Sequence, residues 1–164
     1  MAGKNKKKKN DPAEGVLATN RKASHDFHIL EKIEAGLVLT GTEVKSVKQG
    51  HASIQEGYVH IDDHLEAWLV GCTIQPYEHG NIFNHSTTRE RKLLLHRKEI
   101  ERLYSKIREK GLTIVPLRLY LVRGKVKIKV GLAKGKNVVD KRDTIQKRES
   151  DRDAQRAMRD HNQR

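Results

Sequence analysis

The sequence predicts a mainly β, α+β domain with charged extensions at both ends. Three observations carry that expectation. Residues 125–132 (KVKIKVGL) alternate apolar and cationic side chains strictly, the period of a strand with one buried face. Ile100, Leu103, Tyr104 and Ile107 recur at i, i+3, i+4 and i+7, which marks the clearest helix. The last 28 residues offer only Val138, Val139, Ile145 and Met158 as large apolar groups, too few to offset ordering entropy by burial.

The elements follow in order. Residues 26–33 (DFHILEKI) alternate loosely, and 37–39 (LVL) form a short apolar run between Gly36 and Gly41, so both read as strand. Residues 42–48 (TEVKSVK) are a short helix candidate. Residues 57–61 (GYVHI) and 65–70 (LEAWLV) read as strands of a hairpin turning at Asp62, Asp63 and His64. Residues 72–77 continue as strand to Pro76. Residues 78–91 have no period and are mostly polar, a loop long enough to be a functional candidate. The helix is expected over 93–110, closed by Gly111. Residues 112–122 alternate, with Leu117, Leu119 and Leu121 on one face, and Gly124 turns the chain into 125–132. About six strands with one to three flanking helices fit a small, partly open antiparallel barrel of the oligonucleotide-binding type. A flat ferredoxin-like sheet would want two full helices between its strands.

Composition sets the organisation and the partner class. The chain has 164 residues, 34 Lys plus Arg against 21 Asp plus Glu, and a net charge of +13. Residues 1–17 read as a flexible basic extension, 18–133 as the barrel, and 134–164 as a basic tail disordered in isolation. A charge of that size points to a polyanionic partner. No apolar run approaches the roughly 18 residues of a membrane span, and no secretory signal follows the amino-terminal lysines, so the expected location is the cytoplasm. A single cysteine, Cys72, excludes an internal disulfide and a cysteine-rich zinc module. The nine histidines are scattered without ligand spacing, so no metal and no cofactor is expected. Nucleophile elbow, P-loop and dinucleotide fingerprint are absent, and no enzyme activity is expected.

Several groups could bind nucleic acid. Lys125, Lys127 and Lys129 stand about 6.6 Å apart on one strand face, close to a phosphate spacing, and Lys134 and Lys136 extend the run. Arg89, Arg91, Lys92, Arg97 and Lys98 surround the long loop and the expected helix start, where a phosphate would relieve their conflict with the helix dipole. Glu34, between Ile33 and Ala35, needs donors from arginines or base edges. Tyr58 and Tyr120 could stack on bases. Arg148, Arg152, Arg156 and Arg159 would form one basic stripe on a helix, where like charges repel until a polyanion reverses the sign. The rival class is an RNA-processing enzyme using the histidines of 79–85 as acid and base.

The blocks NRKASHDF (20–27), EAGLVLTGTEVKSVKQG (34–50), TRERKLLLHRKEIERL (88–103) and KGLTIVPLRLYLVRGKVKIKVGLAKGKNVVDKR (110–142), followed by a charged tail, resemble the SsrA-binding (small protein B) family of bacterial trans-translation. The resemblance implies an oligonucleotide-binding-type barrel that holds the tRNA-like domain of tmRNA; the chain is expected to act as a monomer. It implies delivery to the A site of stalled ribosomes, with the tail helical in the decoding centre and empty mRNA channel. The family's RNA-contacting glutamate falls on Glu34. Its RKLLL block falls on Arg91, Lys92 and Leu94, with His96 just after. Its DKR falls on Asp140, Lys141 and Arg142, and Val139 stands where histidine or another aromatic is frequent. The candidate RNA-binding residues are therefore Arg21, Lys22, Glu34, Lys45, Asn84, Arg89, Arg91, Lys92, Leu94, His96, Lys125, Lys127, Lys129, Lys134 and Lys136. Those for the decoding centre are Val139, Asp140, Lys141, Arg142, Lys147, Arg148 and Arg152.

Overall fold

Strand β9 (Lys125–Gly135) is the organising element, pairing antiparallel with β2 (Phe27–Leu37) on one edge and β8 (Thr113–Val122) on the other. The computed structural model describes residues 15–162, so most of the expected amino-terminal extension, residues 1–14, lies outside the described residues. The remaining elements are β1 (Val16–Thr19), α1 (Arg21–Asp26), α2 (Gly41–Lys48), β3 (Ala52–Ser53), β4 (Tyr58–Ile61), β5 (Ala67–Val70), β6 (Thr73–Ile74), β7 (Arg91–Leu94), α3 (Arg97–Lys110) and α4 (Val138–Asn162). One 3₁₀ turn, Asn81–Phe83, sits in the long loop.

The sheet runs β1-β8-β4-β5-β7-β2-β9, and the β8–β9 pairing closes it. Six strands form the ring and β1 adds to the outer part of β8. Strands β3 and β6 make a separate pair. Closure needs bent strands, and two register shifts supply the bends, between Ile29 and Glu31 and between Pro116 and Arg118. Gly131 lies between them. A Cβ there would lie 3.0 Å from the side chains of both Ile29 and Leu117, so glycine lets the two pack over the strand without being pushed aside.

The strict alternation of β9 places Val126, Ile128, Val130 and Leu132 in the core. They meet Ile33 and Ala35 from β2, Leu69 from β5, Leu93 from β7 and Leu119 from β8. Helix α3 plugs one end with Ile100 and Leu103. The Glu99 carboxylate accepts from His96 N–H (3.1 Å) at its start, and Gly111, at φ +59°, ends it. Helix α1 was not expected. Its signal is Asn20, whose Oδ1 accepts from Ala23 N–H (3.0 Å) while Nδ2 donates to the Ile54 and Pro116 carbonyls (3.2 and 2.9 Å).

Several boundaries differ from the sequence reading. Strand β2 runs unbroken from Phe27 to Leu37, so of the expected run 37–39 only Leu37 is strand, and 72–77 shrinks to Thr73–Ile74. The expected helix 93–110 divides into β7 and α3. In β7, Arg91 and Leu93 point inward and Lys92 and Leu94 outward, so an inward arginine hid the period. The barrel also outruns its compositional limits of 18 and 133. Val16 pairs with Tyr120 and Gly135 with Phe27, because ladder hydrogen bonds continue past the last apolar side chain.

The tail runs as helix α4, Val138–Asn162. Its root is tied to the body. Lys136 Nζ donates to the Ser24 carbonyl (3.1 Å) and to Thr144 Oγ1 (3.2 Å). Lys141 pairs with Asp26 (3.5 Å), and His28 Nε2 lies 3.5 Å from Asp140. Side chains 149–159 are all exposed. No helix is long and apolar enough to cross a membrane among the described residues.

Candidate nucleic-acid interface

The register of the closed ring decides which residues meet outside it. Glu34 on β2 lies opposite Lys129 on β9, and Lys127 lies opposite Tyr120 on β8. The Tyr120 hydroxyl donates to Glu34 Oε2, and Lys127 Nζ stands 3.9 Å from Oε1. Lys129 Nζ is 5.8 Å from the Tyr120 ring centroid. Three adjacent strands thus present one carboxylate, two ammonium groups and one phenol together across two neighbouring rungs. The Glu34 side chain is half exposed.

Beside these rungs lies a groove of about 590 Å³, lined by Glu34, Gly36, Leu94, His96, Arg102 and Lys127 among others. Leu94 is 56 % exposed although its neighbours on β7 are tucked in. It crosses directly over Gly36, where a Cβ would lie 3.1 Å from Leu94 Cβ. Glu31, another carboxylate of the groove, differs from Glu34. Hydrogen bonding from Arg102, whose guanidinium lies 2.7 Å away, with help from Lys106 at 3.2 Å, holds its carboxyl below the usual range. Glu31 is thereby committed inside the protein, while Glu34 keeps a face open to a ligand.

Arg91 is a correction. It does not reach the surface: its side chain is 0 % exposed. Nε donates to Glu43 Oε1 (2.8 Å), and Nη1 donates to the carbonyls of Cys72 and Arg89 (both 2.8 Å). Glu43, also buried, accepts from Arg89 Nε (2.9 Å) and Thr40 N–H (2.8 Å). Burial pushes the Glu43 carboxyl up, but Arg89, Thr40 and Arg91 outweigh it and hold it below its ordinary value. The expected cationic cluster at the helix start therefore does not form. Arg89 serves Glu43. Lys92 pairs with Glu66 and lies 5.8 Å from the Trp68 ring centroid. Arg97 pairs with Glu101 at 3.1 Å, and Glu99 supplies the anion at the helix terminus.

Asn84 is a second correction. Oδ1 accepts from Tyr77 N–H (2.9 Å) and Nδ2 donates to the Tyr77 carbonyl (3.0 Å), so both polar atoms close the loop. The histidines of that loop form no acid–base pair. His79 stands edge-on to Tyr77, and His85 spends its ring nitrogens on Thr42 Oγ1 and the Ile74 carbonyl, both 3.0 Å. Among the described residues no group of three or more His, Cys, Asp or Glu is arranged to hold a metal ion. Burial pushes the Cys72 thiol up to about 11, which keeps it unreactive.

The other candidates are dispersed. Arg21 is exposed on α1, and Lys22 there pairs with Glu56 at 2.9 Å. Lys45 lies on α2 with its ammonium 5.2 Å from the Tyr77 ring centroid. Lys125 and Lys134 are exposed at the two ends of β9, and Lys136 is taken up at the tail root. On α4, Asp140 and Lys141 face the body, Arg148 donates to Ser24 Oγ (3.4 Å), and Val139, Arg142, Lys147 and Arg152 are exposed. The sequence reading missed Glu43. Its signal was the capping box from Thr40 to Glu43, which fixes that carboxylate at the third helical position.

Comparison with known proteins places this geometry. The family model described as SmpB protein matches residues 17–160. An SsrA-binding protein of Carboxydothermus hydrogenoformans is 51 % identical over 146 residues, 89 % of this chain and 97 % of the relative. One from Levilactobacillus brevis is 50 % identical over 153 residues, 93 % of this chain and 97 % of that one. A chain in the solved structure described as "tmRNA-SmpB: a journey to the center of the bacterial ribosome" superposes with a TM-score of 0.63 at 43 % identity, covering 80 % of this chain and 94 % of that chain. A family match across nearly the whole barrel and most of α4, together with relatives sharing half their residues, shows that this chain belongs to the SmpB protein family.

Proposed function

We propose that the chain binds the tRNA-like domain of tmRNA and carries it to the vacant A site of stalled ribosomes, enabling rescue and tagging of the incomplete polypeptide. The observation that carries this reading is the half-exposed Glu34, held by Tyr120 and flanked by Lys127 and Lys129 over the Leu94 groove. A carboxylate on a cationic face repels phosphate, so it contributes only by accepting from a base edge or a ribose hydroxyl. The lysines on either side meet the backbone phosphates and supply salt-sensitive affinity. Leu94 packs apolar surface against a sugar or base within the groove.

The barrel acts as a binding body without catalysis, as a monomer in the cytoplasm. The tail acts on the ribosome. Its exposed Arg142, Lys147 and Arg152 meet ribosomal RNA at the decoding centre and in the mRNA channel. Residues 149–162 take up their lasting helical order there, where phosphates offset repulsion between arginines one turn apart.

The test is which RNA co-purifies with the tagged protein from cells. The reading expects tmRNA to be enriched over transfer RNA and ribosomal RNA. Recovery of bulk RNA in its cellular proportions overturns it.

A further inference from the structure

The loop between β6 and β7 is built to hold two apolar side chains in water. Ile82 is 89 % exposed and Phe83 80 % exposed, more than any other large apolar residue described. The loop is not loose. Besides the paired bonds from Asn84 to Tyr77, Gly80 N–H donates to the Tyr77 carbonyl (2.9 Å) and Phe83 N–H to the Gly80 carbonyl (2.8 Å). A Cβ on Gly80 would come within 2.5 Å of Asn84 Oδ1, so the turn closes only around glycine. Asn81 sits at φ +44°, a left-handed conformation at the base of the 3₁₀ turn. His85 pins the returning strand to α2 and β6. This scaffold stops Ile82 and Phe83 from folding back against the barrel, so a partner must cover them if they are to be shielded from water.

The surroundings select the partner. The residues that flank the two in sequence, Glu78, His79, Asn81 and Asn84, are all polar, unlike the apolar centre of a surface that a protein groove covers. A cation stands at the base of this loop: Lys45 Nζ is 5.2 Å from the ring centroid of Tyr77, the residue that Asn84 bonds, and Lys48 is exposed one turn further along the same helix. Two adjacent apolar side chains beside cations match a flat base joined to its phosphate. We infer that Ile82 and Phe83 form a stacking tip for an unpaired nucleobase of the bound RNA, with Lys45 facing the adjoining phosphate; this rests on the RNA-binding reading above. An unpaired base is specified because the deep groove of an A-form helix is closed to side chains.

Phe83→Trp tests the inference, with the wild-type protein and its single Trp68 as the baseline. The probe is a transcript of the tRNA-like domain of tmRNA. Stacking should quench the emission of the new indole without a blue shift, at concentrations where filter retention shows the complex forming. Retained RNA with unchanged emission overturns the inference. So does a brighter, blue-shifted signal that appears with ribosomes or at high protein concentration without RNA, since that reports a protein surface. As a second variant, Ile82→Ala with Phe83→Ala should weaken retention about tenfold at an unchanged urea midpoint. Unchanged affinity in that variant also overturns it. If the wild-type protein retains no RNA, the binding reading itself fails, and that result is distinct from a silent indole in a formed complex.

Discussion

The guanidinium of Arg91 and the carboxylate of Glu43 meet inside the protein, Nε 2.8 Å from Oε1, with both side chains shielded from water. Helix α2 and strand β7 are joined by that pair, and Arg89 and the Thr40 amide complete its hydrogen bonding. Arg91→Met removes one charge and leaves the other buried. It should cost about 3 kcal/mol of stability. Urea denaturation reads the loss. Adding Glu43→Gln to the variant should recover part of it, because the buried carboxylate, left with Arg89 as its one counter-ion, is then neutral.

Glu43 also sets an acid dependence. Its folded carboxyl titrates below the ordinary 4.5, so the unfolded chain takes up its proton first as pH falls. The stabilisation is complete above the unfolded value and disappears as pH falls through the lower, folded one. Stability plotted against pH should therefore drop below about 4.5, and Glu43→Gln should flatten that part of the curve. A wild-type curve that is level from pH 5 to pH 3 would contradict the account.

On the outer face, the sign of a charge effect separates base contact from bulk attraction. Lys127→Ala should weaken tmRNA binding and reduce the slope of log affinity against log salt by about 0.7–0.9. Glu34→Gln removes a negative charge from a cationic face, so attraction alone would raise affinity. The account predicts lower affinity, since a charged acceptor is lost. Filter binding across a salt series distinguishes the two.

The tail should behave as two parts. Hydrogen exchange should show protection at 138–145, where Lys141 and Asp140 touch the body, and none at 149–162. Truncation after Arg148 should leave tmRNA binding intact and abolish tagging of stalled chains. Full tagging by the truncated protein would refute the tail's part in the mechanism.

The barrel was legible where periodicity was undisturbed. Lys125 to Leu132 alternate without exception, and the Ile100 stripe gives α3, so both elements follow from side-chain spacing. Arg91 shows where that logic stops. An arginine reads as surface until a buried carboxylate 48 residues earlier in the chain is known to face it. The same holds for Lys92, whose partner Glu66 lies 26 residues earlier on the neighbouring hairpin. The cluster around Glu34 was half legible. Alternation put Lys127 and Lys129 outside, but the alignment with Glu34 and Tyr120 is a matter of register among β2, β9 and β8. The tail root was hidden because Ser24, Asp26 and His28 hold it from more than 100 residues away.

The most direct measurement is titration calorimetry of the whole protein with the isolated tRNA-like domain of tmRNA at two salt concentrations. The account predicts saturation at one protein per RNA, weaker binding at the higher salt, and intact RNA at the end. Absence of a saturable complex, or steady loss of the RNA under substoichiometric protein, would contradict it.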